Sequence, residues 1–437
     1  MKEDETASVI STSDNSEKAN AGNLKEEYIS PDQARGNGGF LIAYFNVTCV
    51  VAGTGTLGLA KAFAEGGWLG MLILLLAYGM AVYSGIVLIR CLYYKPGERL
   101  TNFKAVGRAA FGRTGYAISA FLHFLNLFGC PALYLVLAAG NMKALTMHSN
   151  ISLSHELWTI VIGTFLLIPS LILKTLHEVT VVSSIGAVCT MVAVFIIMIE
   201  SPIYYAQHPE HTVIRHTVIW SGFPSALSTI AFSFGGNNTY PHVEHALRNP
   251  QQWSYALTAG LTTCTLLYFM TSVPAYFTFG VDSQSPIYNS LPVGPGQIIA
   301  IVVMTIHVIL AIPIYTTSFS LELETSLRLN EHRLGKVGAW CARAAIRTLT
   351  MCGLCIIAIV TPFFDDFMGL LGAVSNCGLV FLLPIICYLK LTGLKNKSWY
   401  ELGFCLLTIV MGLTGLVFGS IAAIRNLARD FATKRPY

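Results

Sequence analysis

The residues of this chain that could do chemistry are few, and they lie inside long apolar stretches. Two short runs interrupt such stretches with poor helix formers. One is Gly53-Thr54-Gly55-Thr56-Leu57; the other is Phe232-Ser233-Phe234-Gly235-Gly236, leading into Asn237-Asn238-Thr239-Tyr240-Pro241. Glycine and threonine weaken a helix, and proline after Gly-Gly-Asn-Asn disfavours a continuous one. Breaks of this kind offer exposed peptide dipoles. A half-helix starting near Thr56 points unpaired N–H groups and a positive dipole end into the protein, where a carboxylate can be held without arginine. The competing use of these glycines is close helix packing. Ionisable groups add proton and ion-pair chemistry. His307 lies in the middle of an apolar stretch. With an ordinary pKa of about 6.5 it suits a proton carrier, or else it is a neutral, hydrogen-bonded core residue. His123 poses the same choice with a weaker placement. Glu244 follows the second break, and Arg343 and Arg347 stand four residues apart on one helical face. A pair between Glu244 and either arginine could close a gate or serve as a static structural pair. Glu322 and Glu324 read as solvated, and Asp365 and Asp366 as part of an exposed turn.

The elements that must position these groups are membrane helices. Of 437 residues, 54% are hydrophobic and 11% charged, and the mean hydropathy is +0.60. Soluble domains carry about 25% charged residues, so a pair of soluble domains is excluded, as is a disordered or fibrous chain. Eleven spans meet the roughly 20-residue length needed to cross a bilayer. They are Phe40–Glu65, Trp68–Tyr94, Tyr116–Leu145, Leu157–Lys174, Val179–Glu200, Gly222–Ala246, Ser254–Phe279, Gln297–Leu323, Cys341–Thr361, Phe367–Leu389 and Tyr400–Ile424. Residues 1–39 are polar and acidic, without the apolar core of a signal peptide, and read as a disordered tail. Residues 425–437 form a carboxyl tail. Lys95, Arg99, Lys104, Arg108 and Arg113 follow span two, Arg328, Arg333 and Lys336 follow span eight, and Lys390, Lys395 and Lys397 follow span ten. The excess of cations in these loops places them, and the amino terminus, in the cytosol. Arg425, Arg429, Lys434 and Arg435 point the carboxyl tail the same way, whereas an odd number of spans puts it outside; eleven spans are retained.

Spans one and six each carry a break, and each opens a group of five. Paired interruptions at matching positions of two halves are the best sequence pointer to a transporter site. An odd number of spans per half inverts one half relative to the other. The membrane domain is therefore expected to comprise repeat one over 40–200, repeat two over 222–389 and an extra helix over 400–424. The 11 cysteines lie within or at the ends of spans, so no structural disulfide is expected, and Cys352-x-x-Cys355 reads as structural in that setting. Asn150-Ile151-Ser152 is a glycosylation acceptor pattern on the outer side, competing with an unmodified turn. No Ser-His-Asp set, metal-ligand spacing or nucleotide loop stands in the right context, so neither an enzyme nor a cofactor is expected. The net charge of +4, with no basic stripe, gives no case for nucleic acid.

Four stretches carry a resemblance to a known family. They are Gly53-Thr54-Gly55-Thr56-Leu57-Gly58 with Glu65-Gly66-Gly67-Trp68; the run from Phe103 to Gly112; Phe234-Gly235-Gly236 with Pro241-His242-Val243-Glu244 and Arg248-Asn249-Pro250; and Arg343 and Arg347 before Pro362-Phe363-Phe364 and Gly369-Leu370-Leu371-Gly372. Their order and spacing resemble the amino acid/auxin permease family of the amino acid–polyamine–organocation superfamily. The resemblance implies an all-α LeuT-type fold with a 5+5 inverted repeat and secondary transport of amino acids coupled to protons or sodium. It also implies a substrate site between spans one and six, against spans three and eight. Gly53 to Leu57 would meet the substrate carboxylate, and Phe232 to Gly236 would offer carbonyls to its ammonium group, as the dipole sign also requires. Sodium-coupled members have an asparagine four residues before the first glycine of the span-one motif. Here that position is Cys49, a poor ligand for a hard cation, and Asn46 lies a turn too early to replace it. A proton is therefore the expected coupling ion. Neither break contains a charged residue, which favours a neutral amino acid. The alternatives are an amino-acid-sensing receptor on the same fold, whose tail could bind a cytosolic partner, a sodium-coupled transporter, or a channel, for which no selectivity filter is evident. The plasma membrane and a vacuolar or lysosomal membrane fit equally.

Overall fold

The structure is a computed structural model that describes residues 28–29, 35–147, 152–172, 179–210, 212–327, 329, 331–395 and 397–433. Asn150 lies outside the described residues, as does most of the amino-terminal tail.

The first span forms as two helices, α1 (Phe40–Val51) and α2 (Gly55–Gly66), bent by 55° at the break. The sixth forms as α7 (Phe223–Ser233) and α8 (Tyr240–His245). Between these, α3 (Leu69–Leu92), α4 (Phe103–Thr146), α5 (His155–Ile172) and α6 (Val179–Gln207) follow in order. After them come α9 (Trp253–Phe279), α10 (Pro295–Ser326), α11 (Glu331–Val360), α12 (Phe364–Leu371) with α13 (Leu383–Thr392), and α14 (Trp399–Thr414) with α15 (Ser420–Thr433). Among the described residues, 8 helical segments are long and apolar enough to cross a membrane, and the bent pair makes a ninth. The shorter apolar helix α5 and the broken pair α7/α8 bring the segments to the expected eleven. The short strands Tyr28–Ile29 and Arg99–Leu100 pair antiparallel.

Helix α4 starts earlier than hydropathy suggests. Its first turns, from Phe103, carry Lys104 and Arg108 beside buried Phe103, Ala105 and Val106. They bend into the third span at Phe111 and Gly112, where Gly112 takes φ 62°. The broken spans form the centre: α2 packs against α7, and α1 against α9. Helix α10 packs on both α4 and α6, and α11 on α5. Close approach explains Gly55, since a Cβ there would lie 2.7 Å from the Ser233 Cα.

Residues that the composition assigns to the tail are strapped to the bundle. The Gly36 and Gly38 N–H groups donate to the His245 and Ala246 carbonyls at 3.2 and 3.0 Å, and the Arg248 N–H donates back to Gly38 at 2.9 Å. At the other end, α15 packs on α12, with Phe431 against Phe363. Because successive spans alternate in direction, the amino-terminal strap and the carboxyl-terminal helix lie on opposite faces. This is the arrangement an odd number of spans requires. All eleven cysteines are free.

Candidate functional site

The two breaks meet around one small cavity of about 20 Å³, lined by Val50, Val51, Gly53, Thr54, Gly55, Asn126, Cys130, Tyr134, Phe232, Ser233, Gly235, Tyr315 and Asn376. That volume admits about one water, so the walls are drawn close together in this conformation. No charged side chain is among the lining residues.

The breaks leave peptide groups to be satisfied in an apolar interior, where each orphan is costly. Most find partners across the cavity. The Tyr268 hydroxyl lies 2.9 Å from the Val51 carbonyl and 2.5 Å from the Ser233 carbonyl, one from each break. The Ser233 hydroxyl donates to the Gly55 carbonyl at 3.0 Å, and Asn376 Nδ2 donates to the Phe232 carbonyl at 3.2 Å. Asn376 is held in turn: Asn126 Nδ2 donates to its Oδ1 at 2.8 Å, and Asn238 Nδ2 donates to the Asn126 Oδ1 at 2.9 Å. Among the described residues, the N–H groups of Gly53 and Thr54 have no hydrogen-bond partner. The buried Thr54 and Thr56 hydroxyls likewise lack one. These unmet donors stand at the start of α2, where its dipole favours an anion.

The residues singled out from sequence divide accordingly. Gly53, Thr54, Gly55, Phe232, Ser233 and Gly235 line the cavity. Thr56, Leu57 and Phe234 are buried behind it, with the Phe234 ring against Tyr268. A Cβ on Gly236 would lie 3.0 Å from the Val51 Cγ2, so its role is the packing of one break on the other. Asn126, Cys130, Tyr134, Tyr315 and Asn376 were not singled out. Isolated polar or aromatic residues on apolar helices carry no spacing signal.

His307 is buried on α10. Its Nδ1 lies 2.9 Å from the Gly186 carbonyl, so Nδ1 carries the proton and the lone pair of the neutral ring sits on Nε2. A Cβ on Gly53 would lie 3.5 Å from that Nε2. The ring therefore stands between spans one, five and eight, beside the cavity but not in its wall.

The expected pairing of Glu244 with Arg343 or Arg347 is not what the structure contains. Glu244 is fully buried and pairs with the buried Arg99, Nη2 to Oε2 at 2.8 Å. The Arg99 Nε adds 3.1 Å to Oε2, and the Tyr93 hydroxyl and Arg35 Nη2 reach Oε1 at 2.6 and 3.4 Å. Arg343 and Arg347 instead pair with Glu324, at 3.7 and 3.2 Å. The physical reason is adjacency: Glu324 ends α10, which packs on α11. Glu322 and Glu324, expected to be solvated, are therefore engaged. Glu322 pairs with Lys104 at 2.7 Å and with His123 Nε2 at 2.8 Å. The expected exposed turn at Asp365 and Asp366 is the first turn of α12, with Asp366 buried. Three ion clusters thus lie on the face that carries the amino-terminal strap, and the first holds Glu244 on α8, the helix that follows the span-six break.

Two broken helices meeting around a cavity within a helical bundle define a polytopic membrane protein of LeuT-type fold. Solved structures share it. MhsT in complex with L-phenylalanine superposes with a TM-score of 0.56 at 12% identity, covering 88% of this chain and 99% of that one. A Na+-coupled sialic acid symporter in a substrate-bound, outward-open state gives 0.51 at 14%, covering 90% and 91%. At such identities the likeness is one of fold. The chain belongs to the transmembrane amino acid transporter protein family, whose pattern matches residues 36–425, the family that the sequence motifs resemble. Similar relatives include the amino acid transporter AVT1C of Arabidopsis thaliana, 26% identical over 396 residues, covering 88% of this chain and 69% of that protein. The vesicular inhibitory amino acid transporter of Xenopus laevis is 25% identical over 413 residues, covering 89% of this chain and 77% of that protein.

Proposed function

We propose that the protein is a proton-coupled secondary transporter of neutral amino acids, with its amino terminus in the cytosol, working by alternating access. The observation that carries this reading is the cavity between the two breaks. It has unmet N–H donors on one side, peptide carbonyls on the other and no charged side chain in its wall. A zwitterion matches that pattern. Its carboxylate would take the Gly53 and Thr54 N–H groups at the positive end of α2, and its ammonium group would take the carbonyls at the end of α7. A charged side chain would find no counter-ion there. Because the cavity admits only about one water as it stands, binding must part its walls. That ties substrate entry to movement of the broken spans.

His307 supplies the coupling. A proton on Nε2 would put a cation beside the Gly53 backbone. Alone it would oppose the positive end of α2, but with a carboxylate bound it becomes the partner of that charge. Substrate thus favours the proton and the proton favours substrate, by equal factors. The decisive experiment is uptake by reconstituted protein, with pH and sodium gradients varied separately over a panel of amino acids. Acid-driven uptake of neutral substrates without sodium is expected, and His307→Ala should lose the acid dependence. Uptake that needs sodium would overturn the coupling assignment, and saturable binding without flux would make the protein a receptor.

A further inference from the structure

His123 stands outside the wall of the cavity, yet its surroundings suit a group that handles protons. It is buried on α4, with Nε2 2.8 Å from Oε1 of Glu322 on α10. A carboxylate only accepts, so Nε2 carries the proton of the neutral ring and the lone pair falls on Nδ1. That Nδ1 is buried and, among the described residues, has no hydrogen-bond partner. It is the atom at which the ring can take up a second proton, and the imidazolium so formed already faces its counter-ion. Position gives that capacity a use. Asn126, in the cavity wall, follows His123 by three residues, about 5 Å along the same side of α4. Tyr315, also in the wall, precedes Glu322 by seven residues, about 10 Å along α10. The pair thus joins the two helices one to two turns from the cavity, toward the face that carries the amino-terminal strap. Beside it Phe319 of α10 packs on Phe124 and Phe128 of α4, with ring centroids 5.8 and 5.3 Å apart. The Glu322 side chain is 29% exposed, and Lys104 Nζ holds its Oε2 at 2.7 Å. From α8, His242 interacts with both members of the pair, its other electrostatic neighbours being Arg99 and His245.

Building on the proton-coupled reading above, we propose that His123 is a second proton-binding group, through which the coupling proton crosses between the opened cavity and the cytosolic face, with Glu322 as its counter-ion. In release, Nδ1 takes a proton from the water of the opened cavity, and the ring becomes an imidazolium paired with the Glu322 carboxylate. When the cytosolic path opens, Nδ1 gives that proton to the water that enters there, and the neutral ring returns. Uptake of a proton from the cytosol runs the same steps backward. No covalent bond other than this N–H forms or breaks. Ionisable groups within membrane spans serve relays of this kind.

The test uses the full-length protein in liposomes, with labelled alanine or the fastest substrate of the panel above. Two rates are compared: net uptake driven by a pH gradient, and exchange of labelled for unlabelled substrate at equal pH, which moves no net proton. His123→Gln, whose amide can still donate to Glu322, should lose acid-driven uptake and keep exchange. Glu322→Gln, which still accepts from Nε2 but offers no counter-charge, should do the same and decides the matter if the histidine variant does not fold. Acid-driven uptake at the parental rate in either variant would overturn the proposal. Loss of exchange together with acid-driven uptake in both variants would make the pair structural and refute it too. A parent whose uptake ignores the pH gradient would instead sink the proton-coupled reading itself, and this role of His123 with it.

Discussion

Glu244→Gln is the most informative single change, because it keeps the volume of the side chain and removes one charge from a buried cluster. Arg99 approaches the carboxylate at 2.8 and 3.1 Å, Tyr93 at 2.6 Å and Arg35 at 3.4 Å. A carboxamide accepts at one oxygen only and turns an NH₂ group toward donors it cannot pair with. Removing one partner of a buried ion pair costs ~3–5 kcal/mol. The Arg35 side chain is 13% exposed and can turn toward solvent, so the lower end, ~3 kcal/mol, applies. If the open state lets water reach Arg99, this whole amount shifts the balance from closed to open, about a hundredfold at 1.4 kcal/mol per decade. Cys130 lines the cavity and is a native reporter of access. With Cys130 as the sole thiol, a membrane-impermeant reagent applied from the face of residues 35–39 should label the glutamine variant about 10–100 times faster than the parent. Bound substrate should slow both. An unchanged labelling rate alongside a lowered unfolding temperature would show that the pair is merely structural, and the gate reasoning would fail.

Gly55→Ala places a methyl group 2.7 Å from the Ser233 Cα; backbone cannot yield there, and uptake should vanish while protein still reaches the membrane, as surface labelling would show. Gly186→Ala would set a Cβ 2.8 Å from His307 Nδ1, displacing the ring. Its uptake should lose acid dependence more than affinity for substrate, and an intact pH profile would clear His307 of the coupling role. Asn376→Ala frees the Phe232 carbonyl and breaks the asparagine chain to Asn126. Apparent substrate affinity should fall about tenfold, the value of a lost hydrogen bond to a buried group of ~1–2 kcal/mol, measured as KM at fixed pH.

The parts of this architecture written locally in the chain were legible from it. Gly53 to Leu57 and Phe232 to Pro241 stand out because glycine, asparagine and proline clash with an otherwise apolar helix, and both become breaks facing one cavity. Eleven segments follow from their apolar length, apart from the first turns of α4 at Phe103, which the Phe111–Gly112 bend separates from its span. The parts written in tertiary adjacency were not legible. Arg343 and Arg347 do share a face, but nothing in their spacing says that the neighbouring acid is Glu324 and not Glu244. Arg99 looked like one more loop cation, and only the fold brings it to a carboxylate 145 residues away. Asn126 and Asn376 are single polar residues on apolar helices, and their hydrogen bond crosses 250 positions of sequence.

The phenol of Tyr268 touches one carbonyl from each interrupted helix, yet it has a single proton to give. Were either helix end to draw away, the hydroxyl would turn wholly to the other carbonyl. The two interruptions are therefore pinned to the same bolt, a single hydroxyl shared by two separate stretches of backbone.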